Sequence, residues 1–259
     1  MRSWYQALEP FVVTAAKQFE LGARAATLHS LDESLFWPPP ALGTTDVVQS
    51  NLVKVYTDKM VGRQAPGRQI YDAIRLAAKR CPLCGHRSVT TLDHHLPKTG
   101  FPLLSVVPDN LIPACSECNR IKTDSRPQTV ETQTLHPYFD SIDETAWLVA
   151  EVVEVSPPPF RFFVSPPSSW PESLAARVSH HFEVFGLEEL YAVQANDEVA
   201  GIASFLSKQH EAAGDIAVRE HLAEMALSWS KVRPNSWNAA AYRAMAESTW
   251  FCSGGFMSA

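Results

Sequence analysis

Residues 81–122, CPLCGHRSVTTLDHHLPKTGFPLLSVVPDNLIPACSECNRIK, decide how this chain folds. Two Cys-x2-Cys pairs bracket the stretch, Cys81 with Cys84 and Cys115 with Cys118. Each pair can offer two thiolates from one tight turn to a tetrahedral ion, and two such knuckles complete a four-sulfur set. Zinc is the expected metal. Its expected role is structural, because a saturated four-thiolate site has no open position, and its binding contributes on the order of 10 kcal/mol to folding. Disulfide pairing fits poorly with a reducing compartment, and a redox reading of one pair leaves the other without a purpose. The pairs are separated by 30 residues, more than the roughly 15–20 of the commonest zinc ribbons. Something is therefore accommodated between them, and LDHHLP at 92–97, with its acid and two histidines, lies there. The fifth cysteine, Cys252, reads as a small buried apolar residue.

Around this stretch the texture is helical. Leu8, Phe11, Val12, Ala15, Ala16 and Phe19 recur at helical spacing within residues 1–36, and WPPP at 37–40 must end any helix there. Further helices are expected over about 46–61 and 68–80, the latter after the Pro-Gly pair at 66–67. SVTTLDH reads as a strand. AWLVAEVVEV (146–155) and FRFFV (160–164) read as two more, joined through prolines. Beyond Pro167 helices are expected through 173–194, 196–212, 216–229 and 237–251. The fold class is α+β, mostly helical, with a central β-containing insert, divided as 1–58, 59–127 and 128–259.

The chain has 259 residues, 46% apolar and 19% charged, as expected of a globular protein. No apolar run approaches the roughly 20 residues of a membrane span, and the N-terminus lacks a signal-peptide core, so a cytoplasmic address and no membrane partner are expected. The net charge of −6 argues weakly against nucleic acid, but its distribution does not. Residues 59–127 carry 11 Lys and Arg against 5 Asp and Glu, whereas 128–259 carry 7 against 17. One basic segment between acidic neighbours suits a polyanion.

Taken as a unit, residues 81–122 give a knuckle, a strand ending in Asp-His, a loop, an Asn-Leu pair, a second knuckle and then Asn-Arg-Ile-Lys. This order resembles the HNH endonuclease family in its zinc-stabilised ββα-metal form. The resemblance covers about a sixth of the chain, with weaker likeness in YTDKMVGRQAPGRQIYDAI before it and HPYFD at 136–140. It implies a general base at His94, a loop-bracing asparagine at Asn110, and a magnesium or manganese ion held by Asp93 and Asn119. A neutral imidazole is a suitable base near pH 7, and one carboxylate with one amide oxygen suffices for a hard cation that keeps several waters. Lys98, Arg120 and Lys122 flank the site as phosphate contacts, with Lys79, Arg80, Arg87 and Arg126 nearby. Such contacts position a backbone without reading bases.

His95, where the family often has an apolar residue, opens a second register. A regular pleat puts Asp93 and His95 on one face and His94 on the other, so His95 competes as base or phosphate contact. The implied substrate is DNA, with RNA open. The family's stand-alone members of this size resemble nuclease components of bacterial anti-phage defence systems, often paired with an ATPase. The acidic C-terminal segment could restrain the nuclease or dock to such a partner. The competing class is a zinc module that binds nucleic acid or protein without catalysis.

Overall fold

A computed structural model describes residues 2–43 and 45–258. It is a mixed helix and strand protein in two compact units, Met1–Asp140 and Ser141–Ala259. In the first unit, α1 (Arg2–Arg24) and short 3-10 turns precede α2 (Thr45–Tyr56), which runs into a π turn over Thr57–Val61. Then come α3 (Arg68–Leu76), β1 (Thr91–His94), β2 (Leu111–Ala114) and α4 (Ser116–Lys122). The second unit holds β3 (Leu148–Val152), β4 (Phe160–Val164), α5 (Glu172–Val184), α6 (Leu187–Val232), α7 (Trp237–Glu247) and α8 (Thr249–Cys252).

The insert between the cysteine pairs is a hairpin with a packed crown. Strands β1 and β2 run antiparallel with Thr91 opposite Ala114 and His94 opposite Leu111. The loop joining them buries Leu96, Phe101, Leu103, Leu104 and Val107 against Leu8, Ala15, Phe19 and Ala23 of α1. These α1 positions fall at helical spacing, so the stripe visible in the sequence has the loop as its counterpart. A second cluster, Tyr56, Met60, Tyr71, Leu92 and Leu111, joins the end of α2 and α3 to the hairpin.

The second unit packs α7, which is almost wholly buried, between α6 and β3. Its alanines let neighbours approach closely, and Tyr242 donates a hydrogen bond to Glu198 across the α6–α7 contact. Asn235 holds the entry to β3, accepting from the Trp147 and Leu148 amides at 2.8 and 3.3 Å. Strands β3 and β4, both expected from the sequence, pair antiparallel. Gly214, at φ 74°, interrupts α6, which accounts for the two shorter helices expected there.

The structure groups into two compact units where the sequence reading expected three segments. The N-terminal helices cannot be separated from 59–127, because their apolar faces are covered by the hairpin loop. Nor does the unit end at 127. Within 128–140, His136 Nε2 donates to the Asp109 carbonyl at 3.0 Å, the Tyr138 hydroxyl donates to the Leu111 carbonyl at 2.8 Å, and Phe139 packs on the α1 core. The first helix is also shorter than residues 1–36, breaking into 3-10 turns after Arg24.

At the π turn's exit, Gly67 donates to the Lys59 carbonyl at 2.7 Å, and a Cβ there would sit 2.7 Å from that oxygen. Gly67→Ala is therefore expected to destabilise the protein by about 1–3 kcal/mol, measured as a lowered denaturation midpoint at unchanged m-value.

Candidate functional site

The four sequence-predicted cysteines meet. The sulfurs of Cys81, Cys84, Cys115 and Cys118 lie within 4.8 Å of one another, all buried. In the first knuckle the Cys81 amide donates to the Arg87 carbonyl and the Gly85 amide to the Cys81 carbonyl, both at 2.8 Å. Gly85 takes φ 62°, a turn that a glycine closes without strain. In the second, Cys115 caps α4 by accepting from the Cys118 amide. The group fits a metal such as zinc, whose sulfur shell requires separations of about 3.8 Å. Packed this closely the thiols perturb one another: Cys84 is drawn toward the thiolate by contact with Cys118 and Cys81, while contacts with Cys81 and Cys84 push the Cys118 thiol up. One dication lets all four ionise together.

Beside this cluster a cavity of about 360 Å³ collects Asp93, His94, Lys98 and Asn119, walled by Tyr56 and Tyr71 and edged by Asp124. Asp93 and His94 arrive on β1 and Asn119 on α4. The second knuckle starts that helix, so the sulfur cluster fixes the helix against the strand. His94 Nε2 lies 2.9 Å from the Ser105 carbonyl oxygen. A carbonyl only accepts, so Nε2 carries the proton and Nδ1 keeps its lone pair. The ring of Tyr56 meets the imidazole edge-on, centroids 4.5 Å apart.

Burial sets the charges here. It lowers the His94 pKa to about 4, against the pull of the Ser105 carbonyl. Burial raises that of Asp93 to about 6, offset by Lys122. His94 is thus a neutral imidazole near pH 7, and Asp93 is mostly ionised. The two have opposite effects on folding. Between about pH 6.5 and 4 the unfolded chain binds the histidine proton more readily, so acid costs stability. Between about pH 6 and 4 the folded chain binds the Asp93 proton more readily, so acid restores some.

Other predicted residues fall elsewhere. Asn110 is fully buried and does not line the cavity. It accepts from the Leu96 amide at 2.7 Å and donates to the carbonyls of Leu96 and Leu104 at 3.0 and 3.3 Å, tying the two ends of the loop segment together. His95, the other histidine named as a candidate catalytic group, does not line this cavity. Strand β1 ends at His94, the His95 amide bonds the Asn110 carbonyl at 2.8 Å, and its ring turns to His136, centroids 4.4 Å apart, beside Phe19. The pleat that would align Asp93 with His95 has ended by then. Lys98 reaches the cavity with Nζ 5.4 Å from the Tyr56 ring centroid, and Arg120 is exposed on α4.

Lys122 is corrected from phosphate contact to interior residue. It is 4% exposed, with Nζ 2.7 Å from the His94 carbonyl oxygen and 3.4 Å from Asp93 Oδ2. Arg126 is likewise engaged, in a 2.5 Å pair with Glu33 and a bond to the Leu31 carbonyl. The sequence reading overlooked Tyr56 and Tyr71 as walls of the site. No spacing marks them, although both lie in the YTDKMVGRQAPGRQIYDAI approach.

Among known proteins, the chain is similar to Protein ea31 of Escherichia phage lambda, 26% identical over 198 residues that span 74% of this chain and 67% of that protein. No family model matches the sequence. No solved structure matches it. No helix among the described residues is long and apolar enough to cross a membrane.

Cys118→Ser is expected to lose bound zinc and to lower the melting temperature by more than about 10 °C, measured by elemental analysis and calorimetry. At about pH 6.5, where a free imidazole is half-charged, the His94 ring nitrogens should give the NMR signals of a neutral ring protonated at Nε2. A charged ring at that pH would contradict the burial assigned to it.

Proposed function

We propose that this chain is a divalent-metal-dependent endonuclease of the HNH type, hydrolysing DNA phosphodiester bonds with little sequence preference. One observation carries the reading: Asp93, His94 and Asn119 share a cavity beside a four-thiol cluster, and the His94 ring has Nε2 engaged while Nδ1 remains an acceptor. The order of hairpin, loop and short helix supports a ββα-metal core, as the sequence resemblance implies.

In this reading His94 Nδ1 takes a proton from the attacking water as its oxygen bonds to phosphorus. The bond from phosphorus to the 3′ oxygen breaks, leaving a 5′-phosphate, and solvent returns a proton to the 3′ oxygen. A divalent ion held by the Asp93 carboxylate and the Asn119 amide oxygen, magnesium or manganese, would supply positive charge at the phosphate and the departing oxygen. Asn110 acts at one remove. By tying Leu96 to Leu104 it steadies the carbonyl of the next residue, Ser105, which orients the imidazole. Lys98 and Arg120 are the cations available to backbone phosphates, and neither offers base readout.

The test is cleavage of supercoiled plasmid by zinc-loaded protein with and without magnesium or manganese. Metal-dependent nicking is expected, slowed at least about 100-fold in His94→Ala and Asn119→Ala and retained in His95→Ala. Cleavage of RNA in place of DNA would reassign the substrate. Absence of cleavage of either by intact protein counts against the enzyme and for a binding module.

A further inference from the structure

Lys122 is the least expected charge in this site. It follows Asn119 by three residues on α4, so the two share a helix face. Its Nζ donates to the His94 carbonyl, and the nearby Asp93 Oδ2 is buried without a hydrogen bond. The 3.4 Å approach of Nζ to Oδ2 is an ion pair well longer than the 2.7 Å bond to the carbonyl. Lysine is anchored by one neighbour and only balances the other. The carboxylate oxygen keeps its lone pairs for a different partner.

We infer that Lys122 is a resident counter-cation of the metal site: it neutralises Asp93 while no divalent ion is bound and opposes the ion that arrives there. This rests on the nuclease reading, in which Asp93 is a ligand. Its consequence is a higher metal concentration for filling than the two ligands alone would require. Lys98, also in the cavity, adds to that opposition, while Asp124 at the edge counters it. A purely structural lysine predicts the reverse, since removing a residue that held Asp93 in place would weaken metal binding.

Manganese binding to the full, zinc-loaded chain, followed by electron paramagnetic resonance of the free ion, separates these roles. Lys122→Gln keeps a donor for the His94 carbonyl and drops the charge. Lys122→Arg keeps the charge, and Asp93→Asn removes the ligand. Lys122→Gln is expected to bind manganese roughly tenfold more tightly than wild type, Lys122→Arg about as wild type, and Asp93→Asn not at all. Manganese should also raise the melting temperature of Lys122→Gln by more than that of wild type. Lys122→Met offers the same comparison if the glutamine protein fails to retain zinc. Equal or weaker binding without the charge, with Asp93-dependent binding intact in wild type, overturns the counter-cation role and leaves the nuclease reading standing. Absence of Asp93-dependent binding from every protein overturns both.

Discussion

Everything in the candidate site hangs on the meeting of four sulfurs. A hairpin of four-residue strands and a helix of seven residues are each too short to persist alone in water. Their mutual geometry comes from a point where two distant turns converge, and from the α1 stripe that covers the loop between them. The distance between a strand-borne carboxylate and a helix-borne amide is thus set by the cysteines, one of which directly precedes Asn119. A metal with no catalytic part can fix the dimensions of a site in this way.

Around that frame the protein buries three titratable side chains within a few ångströms. Burial alone would discharge Asp93 and His94 alike, and it succeeds with the histidine against the pull of the Ser105 carbonyl, helped by the nearby Lys98 and Lys122 charges. For Asp93 the Lys122 charge works the other way and keeps the carboxylate largely ionised. The result near pH 7 is a neutral imidazole beside a largely ionised carboxylate, the second held against the low dielectric by a neighbouring charge.

The sequence made the knuckles legible through spacing, the C-terminal hairpin through β-branched and aromatic runs, and α1 through its apolar period. Which of His94 and His95 faces the cavity was not legible, because it depends on where β1 ends, and that is decided by the Asn110 backbone and the loop packing. The burial of Lys122 was hidden for a related reason. Composition marks lysine as a surface residue, and only the proximity of β1 to α4 turns it inward. Asn119 and Lys122 stand three apart on one helix face, however, so that signal was available. Tyr56 and Tyr71 lie between the two kinds of case: their helices were visible, but nothing local showed which face would meet the hairpin.

Residues 128–140, which the sequence reading assigned to the C-terminal segment, behave as part of the first unit. His136 and Tyr138 cap the carbonyls of Asp109 and Leu111, on either side of Asn110, and Phe139 seals the α1 core. Any dissection that stops after the second knuckle would strip two capping donors from the backbone flanking the loop brace. The extent of the first unit is consequently set by a segment outside the cavity, and its boundary falls after Asp140.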